Sequence, residues 1–181
     1  MERTKLIKIL QIILQIGTAA ILFVPLIYTN STFFPFVFGK FIIFRVLIEA
    51  LVPVWLMLMV LSPEARPRRN LLLWLLAANI GAIVLSTIFG VDPARSFWGN
   101  HERMLGAFTA LHAFVYTLML VSAYARESFK KILFVALVVS AGEALAYLGQ
   151  LMVPGFLISS AGNLRQWGTL GNYLYFSEFL L

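Results

Sequence analysis

Long apolar segments alternate with short polar connections along this chain. Five segments are almost entirely apolar, and they cover residues 6–28, 41–61, 71–90, 104–124 and 132–153. A sixth apolar stretch begins at Tyr173 and runs to Leu181. A helix of about 20 residues crosses the hydrocarbon layer, and helices satisfy their own backbone polar groups in lipid. The pattern therefore predicts an all-α, polytopic membrane helix bundle, with five complete spans and the start of a sixth in a single transmembrane domain over residues 1–181.

Composition supports a membrane location. Of the 181 residues, 61% are hydrophobic and 12% are charged, and the mean hydropathy is +0.90. A soluble domain carries about 25% charged residues, so this chain has too few to coat a water-facing surface. A soluble enzyme, a secreted domain and a disordered tail are therefore excluded. With no cysteine and two histidines, the chain also lacks the usual ligands for a metal centre, and we expect no metal and no cofactor.

The basic residues predict the orientation of the helices. Nine of the fourteen lie at the N-terminus or in every second connection: Arg3, Lys5, Lys8, Arg66, Arg68, Arg69, Arg126, Lys130 and Lys131. Cytoplasmic loops of membrane proteins accumulate Lys and Arg, so we predict a cytoplasmic N-terminus and outward-facing loops near residues 33–38, 92–103 and 154–172. The net charge of +6 is explained by this topology, and nucleic-acid binding is not expected.

Ionisable residues lie within the apolar segments, where they are costly and are functional candidates. Arg45 and Glu49 are four residues apart and share one face of the second helix. They form either an intrahelical ion pair that locks the bundle or a site in which Arg45 is the floor of an outward-facing anion site and Glu49 orients it. Glu143 lies near the middle of the fifth segment, where it takes up a proton or pairs with Arg45. The sequence leaves these alternatives open.

Other residues in these segments indicate helix packing. A lone His112 and a lone Asn79 are typical of hydrogen bonding between membrane helices. Ala77 and Gly81 are small residues four positions apart, a spacing that lets helix backbones approach closely. We expect both patterns at helix interfaces.

Two outer connections combine arginine with glycine next to a helix start. Residues 92–106 include two arginines, one histidine and two acids, and residues 165–172 include one arginine and two glycines. Glycine beside a helix N-terminus leaves backbone N–H groups free to meet an anion, and arginine is a bidentate partner for phosphate. Arg103 and Arg165 are therefore candidate anion-binding residues.

These two connections resemble the outer-loop motifs of the O-antigen ligase and O-antigen polymerase family. The first motif is Ser96-Phe97-Trp98-Gly99, followed by Glu102-Arg103 and Gly106. The second is Arg165 followed by Gly168-Thr169-Leu170-Gly171-Asn172 and then Tyr175-Phe176-Ser177. Both motifs precede a helix, as they do in the family. One departure is that the family commonly has Asn-Pro-Asn-Tyr where this chain reads Asn172-Tyr173-Leu174-Tyr175.

The resemblance implies a multi-pass glycosyltransferase of the bacterial inner membrane with its active face in the periplasm. Such an enzyme moves a glycan from undecaprenyl pyrophosphate to a lipid A-core or another glycan acceptor, without a metal. The family's catalytic histidine follows the matched region, so we expect it beyond Leu181 and take this chain as the N-terminal part of a longer protein, inactive alone. The residues implied in pyrophosphate binding are Arg103, Arg165 and Arg45, with Glu49, Trp98, Gly171 and Asn172 supporting them.

Three alternatives stay open. The chain belongs to a polysaccharide polymerase of the same family, to a small transporter or to a structural membrane subunit. Arg45, Glu49, His112 and Glu143 would line the path of a transporter, although the internal repeat found in many transporters is missing. Release of undecaprenyl pyrophosphate separates an enzyme from the last two classes.

Overall fold

The chain folds into a bundle of helices. The computed structural model describes residues 2–29, 34, 36–68, 70–100, 104–124, 128–153, 156, 168–171 and 177–179. Its helices are α1 (Glu2–Ile21), α2 (Phe38–Leu61), α3 (Leu71–Ile88), α4 (Pro93–Trp98), α5 (Ala107–Ala123) and α6 (Phe129–Met152). Short 3-10 turns occupy Val24–Leu26 and Pro63–Ala65, and no strand occurs in the described part of the chain. The predicted all-helical class is confirmed.

Four of these helices are long and apolar enough to cross a membrane. They are α1 with the turn that follows it, α2, α3 and α6. The fourth predicted segment forms α5, which is apolar but has 17 residues and is about 25 Å long. Of the predicted sixth segment only residues 177–179 are described, and these are helical. The structure therefore gives four span-length helices and a fifth, shorter one.

The first helix ends earlier than its apolar pattern predicts. The apolar stretch reaches Tyr28, but α1 ends at Ile21. Pro25 explains the difference, because a proline ring inside an α-helix clashes with the carbonyl group four residues before it, and here that residue is Ile21. The chain continues as a tighter turn over Val24–Leu26.

Helices α1, α2 and α5 form the packed core. Leu14, Leu58 and Met119, one from each helix, are fully buried at 0% exposure. Side-chain hydrogen bonds add to this packing. Trp55 Nε1 donates to Ser122 Oγ at 2.9 Å, joining α2 to α5. In lipid the hydrophobic effect does not drive helices together. Close packing of apolar side chains holds them together instead, with help from interhelical hydrogen bonds such as this one.

Helix α3 lies at the edge of the bundle. It contacts α4 and α5, and Thr87 is its buried residue. A Cβ atom built on Gly81 meets no atom of the described chain within 4 Å. The close packing predicted from Ala77 and Gly81 is therefore not formed at Gly81.

Candidate functional site

A cavity of about 610 Å³ opens at the end of the bundle where α1 ends and α2 begins. We call it the outer cavity. It lies between α6 and the packed helices, and its lining is mainly apolar, with Phe41 and Phe44 from α2, Val139 from α6 and Leu170 from a later segment. Lys40 is the charged residue among its lining residues. An apolar cavity with few polar groups is the usual form of a small-molecule site, and this one suits a hydrocarbon chain.

Residues 168–171, which we call the docked segment, reach the outer cavity through Leu170, one of its lining residues. Its two glycines, Gly168 and Gly171, have φ values of 59° and 73°, a backbone conformation that favours glycine. A Cβ atom at Gly171 would lie 2.5 Å from Cβ of Phe36, another residue of the cavity lining. Gly171, predicted as a supporting residue, therefore lies against the cavity wall, and a larger residue does not fit there.

Lys40 binds the docked segment from α2. Its Nζ atom donates a hydrogen bond to the carbonyl oxygen of Thr169 at 2.7 Å, and it lies 3.4 Å from the Thr169 hydroxyl. The side chain is buried. In the sequence, Lys40 is notable only as one of the few basic residues of the outer connections, and it was not predicted as a site residue. Its partner is 129 residues away in the chain.

Glu143 binds the same segment from α6. The carboxylate accepts hydrogen bonds from the backbone N–H of Thr169 at 3.1 Å and from the Thr169 hydroxyl. The hydroxyl also lies 2.6 Å from the carbonyl oxygen of Pro25. Glu143 is fully buried. The structure thus gives Glu143 a partner that the sequence did not indicate, in place of Arg45.

Gln150, about two helical turns after Glu143 in α6, also binds the docked segment. Its Nε2 atom donates to the carbonyl oxygen of Gly168 at 2.8 Å, and its Oε1 atom accepts from the N–H of Gly168 at 3.0 Å. The only signal in the sequence is a polar residue late in an apolar helix. That signal marks a buried hydrogen-bonding residue but does not name its partner.

Arg45 lies at the junction of α2 with the start of α5. Its Nη2 atom donates to Thr109 Oγ1 at 2.5 Å and to the carbonyl oxygen of Met104 at 3.2 Å. Its Cζ atom lies 4.8 Å from the centre of the Phe108 ring, within cation–π distance. The buried Nε atom has no hydrogen-bond partner among the described residues. Arg45 is therefore held by Thr109 of α5 and by Met104 just before that helix. Its Nε–H group has no acceptor among the described residues.

Glu49 pairs with His112 of α5, not with Arg45. Glu49 Oε1 lies 3.0 Å from His112 Nε2, and His112 Nδ1 lies 2.7 Å from the carbonyl oxygen of Phe108. Because a carbonyl oxygen only accepts, Nδ1 carries a hydrogen in this arrangement. The prediction that His112 joins two helices is confirmed. Thr109 and Met104 hold the guanidinium of Arg45 by hydrogen bonds, and Glu49 binds the imidazole, so the predicted role of Glu49 in orienting Arg45 stays a prediction.

The first loop motif forms α4 and its contact with α5. Asp92 begins the helix by accepting a hydrogen bond from the N–H of Arg95 at 3.0 Å. At the other end, a Cβ atom on Gly106 would lie 2.2 Å from the carbonyl oxygen of Phe97 and 2.4 Å from the nitrogen of Gly99. Glycine at 106 lets the end of α4 and the start of α5 touch backbone to backbone.

A second, more polar cavity lies beside α4. Its volume is about 430 Å³, and Arg95, Ser96 and Asn100 contribute to its lining. Trp98, predicted as a supporting residue, is half exposed, and its ring lies 5.0 Å from that of Phe108. The structure therefore brings Trp98 and Arg45 to the same aromatic ring.

Several predicted residues lie outside the described part of the chain. They are Arg103, Arg165 and Asn172, so their assignment to an anion site stays a prediction. The described candidates fall into two places, since Arg45, Glu49 and Trp98 surround the start of α5 whereas Gly171 lies at the outer cavity.

The chain matches no protein-family model, no curated protein and no solved structure. Within the described residues, no group of three His, Cys, Asp or Glu side chains comes together as a metal site requires. The features of the described chain that bear on function are the two cavities, the residues that line them and the two loop motifs.

Proposed function

We propose that this protein is an O-antigen ligase-like membrane glycosyltransferase. It binds an undecaprenyl-pyrophosphate-linked glycan and takes part in transferring the glycan to a lipid A-core or another acceptor. The observation that supports this most directly is the outer cavity, an apolar space of about 610 Å³ at the end of the bundle that carries both loop motifs. The prenyl chain occupies the apolar cavity, while the pyrophosphate stays near the polar loops.

The proposed orientation places this cavity at the periplasmic face of the bacterial inner membrane. With the N-terminus in the cytoplasm, α1 crosses outward, so the end of α1 and the start of α2 lie on the periplasmic side. The excess of basic residues at the N-terminus and in every second connection supports this orientation. In this topology α5 is the fourth of five spans in chain order and is shorter than the others, and a sixth begins near Tyr173.

The proposed roles follow from the charge of the donor. Negative charge grows on the pyrophosphate as the glycan leaves, and fixed guanidinium groups stabilise that charge. Arg103 and Arg165 bind the pyrophosphate from the loops. Arg45, whose Nε atom has no hydrogen-bond partner among the described residues, acts from within the bundle at the start of α5.

Glycan transfer by the full-length protein tests this function. Release of undecaprenyl pyrophosphate from the lipid-linked glycan is measured for wild type, Arg103→Ala and Arg165→Ala. We expect each change to lower the rate by about 100-fold or more, as loss of a transition-state charge partner does. Arg68→Ala, on the predicted cytoplasmic side, is the matched control. Full activity in both variants would refute the anion site, and glycan flux in liposomes without this release would favour a transporter.

Thiol labelling tests the orientation. The chain contains no cysteine, so a single introduced cysteine is the only thiol. In intact cells, a membrane-impermeant reagent is expected to label Trp98→Cys and to leave Asn70→Cys unlabelled until the membrane is opened. The reverse pattern would place the outer cavity in the cytoplasm and end the proposal.

A further inference from the structure

Side chains from other elements bind every backbone polar group of Gly168 and Thr169. Gln150 binds the N–H and the C=O of Gly168, Glu143 accepts from the N–H of Thr169, and Lys40 donates to its C=O. Irregular backbone at membrane depth persists only where the protein itself satisfies these groups. The docked segment thus depends on three side chains rather than on secondary structure of its own.

The dependence is mutual, because the three side chains are themselves buried. Glu143 is 0% exposed, Gln150 6% and Lys40 8%. A buried charge or amide is costly unless it is hydrogen-bonded. Glu143 and Lys40 approach the same residue, Thr169, from opposite helices, so the carboxylate and the ammonium offset each other across it. Displacing the docked segment would leave both charges without these partners, which holds the segment against α6 and α2.

The position of the docked segment sets the shape of the outer cavity. Leu170 lines the cavity directly, and Gly171 packs against Phe36, which also lines it.

We propose that Glu143, Gln150 and Lys40 are positioning residues of the donor site. Glu143 and Gln150 are not among the residues that line the outer cavity, and Lys40 lines it while its Nζ atom is bound to Thr169. They hold the docked segment so that the outer cavity has the shape that accepts the prenyl chain. This role rests on the proposed function, and it adds three residues that the loop motifs do not contain.

Paired substitutions at Glu143 test the role. Glu143→Leu removes both acceptors for Thr169, whereas Glu143→Gln keeps one oxygen for the Thr169 N–H and an amide that donates to the hydroxyl. Binding of undecaprenyl pyrophosphate to the purified full-length protein is the measurement. We expect Glu143→Leu to raise Kd about tenfold or more and Glu143→Gln to stay within about threefold of wild type.

A second readout separates positioning from general stability. Leu170→Cys supplies a single thiol on the docked segment, and its alkylation rate reports whether the segment is held. We expect Glu143→Leu to raise this rate about tenfold and Glu143→Gln to leave it unchanged. Gln11→Leu is the matched control, because Gln11 makes no side-chain hydrogen bond within the described residues and lies far from the segment in α1. Its Kd and alkylation rate should equal those of wild type.

Each outcome decides between the two proposals. A wild-type protein that does not bind undecaprenyl pyrophosphate overturns the proposed function, and the positioning of a donor site falls with it. The alkylation rates still show whether Glu143 holds the docked segment. A wild type that binds, together with a Glu143→Leu variant of unchanged Kd and alkylation rate, overturns the positioning role alone.

If Glu143→Leu does not fold, Lys40→Met and Gln150→Leu replace it, with Lys40→Arg as the conservative partner. Unchanged Kd in both would then refute the role.

Discussion

The two ends of the α1–α2–α5 bundle are built from similar residues but differ in packing. Toward the predicted cytoplasmic end, Leu14, Leu58 and Met119 interdigitate and are completely buried. Toward the other end, Phe41 and Phe44 line a cavity of about 610 Å³. In lipid the hydrophobic effect does not drive helices together, so apolar residues alone do not close a gap. Close packing of apolar side chains therefore stabilises the packed end, whereas hydrogen bonds to the docked segment shape the open end.

The largest expected effect is at the packed end. Leu58→Ala leaves a cavity among three helices and should lower the free energy of unfolding by about 2–5 kcal/mol. Phe41→Ala, in the lining of the outer cavity, should cost clearly less, because space already surrounds the ring. Unfolding of the purified protein in mixed micelles measures both, with exposed Val60→Ala as control. Equal losses for Leu58→Ala and Phe41→Ala would contradict the contrast between the two ends.

Arg45 tests whether hydrogen bonds hold the region around the start of α5. Arg45→Met removes the donor to Thr109 and Met104 and should lower the free energy of unfolding by about 2–3 kcal/mol. Arg45→Lys should recover part of the loss, since one ammonium replaces one of the contacts. The same unfolding measurement applies. A loss below about 0.5 kcal/mol for Arg45→Met would mean that side-chain packing, not hydrogen bonding, holds this region as well.

Replacing glycine by alanine should have opposite effects on stability at two positions, Gly106 and Gly81. Gly106→Ala places a Cβ atom against the backbone of Phe97 and Gly99, and the resulting overpacking should cost about 1–3 kcal/mol. Gly81→Ala in α3 is the matched control. Its Cβ atom meets nothing within 4 Å, so stability should stay equal or rise by up to about 1 kcal/mol, because alanine favours helix. A destabilising Gly81→Ala would indicate that α3 is covered by another helix in the membrane.

The smallest effect concerns one hydrogen bond at the packed end. Trp55→Phe keeps an aromatic ring but removes the donor to Ser122 Oγ, and should cost about 1 kcal/mol beyond the loss in ring size. A double-mutant cycle with Ser122→Ala isolates the interaction from that size effect. A coupling energy near zero would show that this end relies on the fit of apolar side chains alone.

Much of the fold was predictable from local pattern. The segment 71–90 became α3 (Leu71–Ile88), and the segment 41–61 became α2 (Phe38–Leu61), because apolar runs bounded by polar or proline-rich connections leave few places for a helix to end. The first span, predicted over residues 6–28, is found over Glu2–Leu26. Its α-helix ends at Ile21 and a 3-10 turn follows, because Pro25 blocks an α-helix there and the apolar pattern does not register this. The short α4 was not predicted, because its six residues are too few to show a helical period.

The candidate site was less predictable, and the reason lies in sequence distance. The motifs drew attention to Trp98 and Gly171, which the structure describes at two separate places. The sequence marked Glu143 as a costly buried acid but gave no means of finding Thr169. Lys40 and Gln150 were missed, because a single cation or amide near a helix end looks like an ordinary interfacial residue.

The sequence alone is enough to predict a set of apolar helices suited to a membrane. That outcome is local, because each backbone N–H finds its acceptor four residues away and lipid offers no other partner. Only the tertiary structure decided which buried polar side chains meet. Arg45 and Met104 are 59 residues apart, and Lys40 and Thr169 are 129 residues apart. Such pairs depend on how the helices are arranged around the outer cavity, and no spacing along the chain specifies that arrangement.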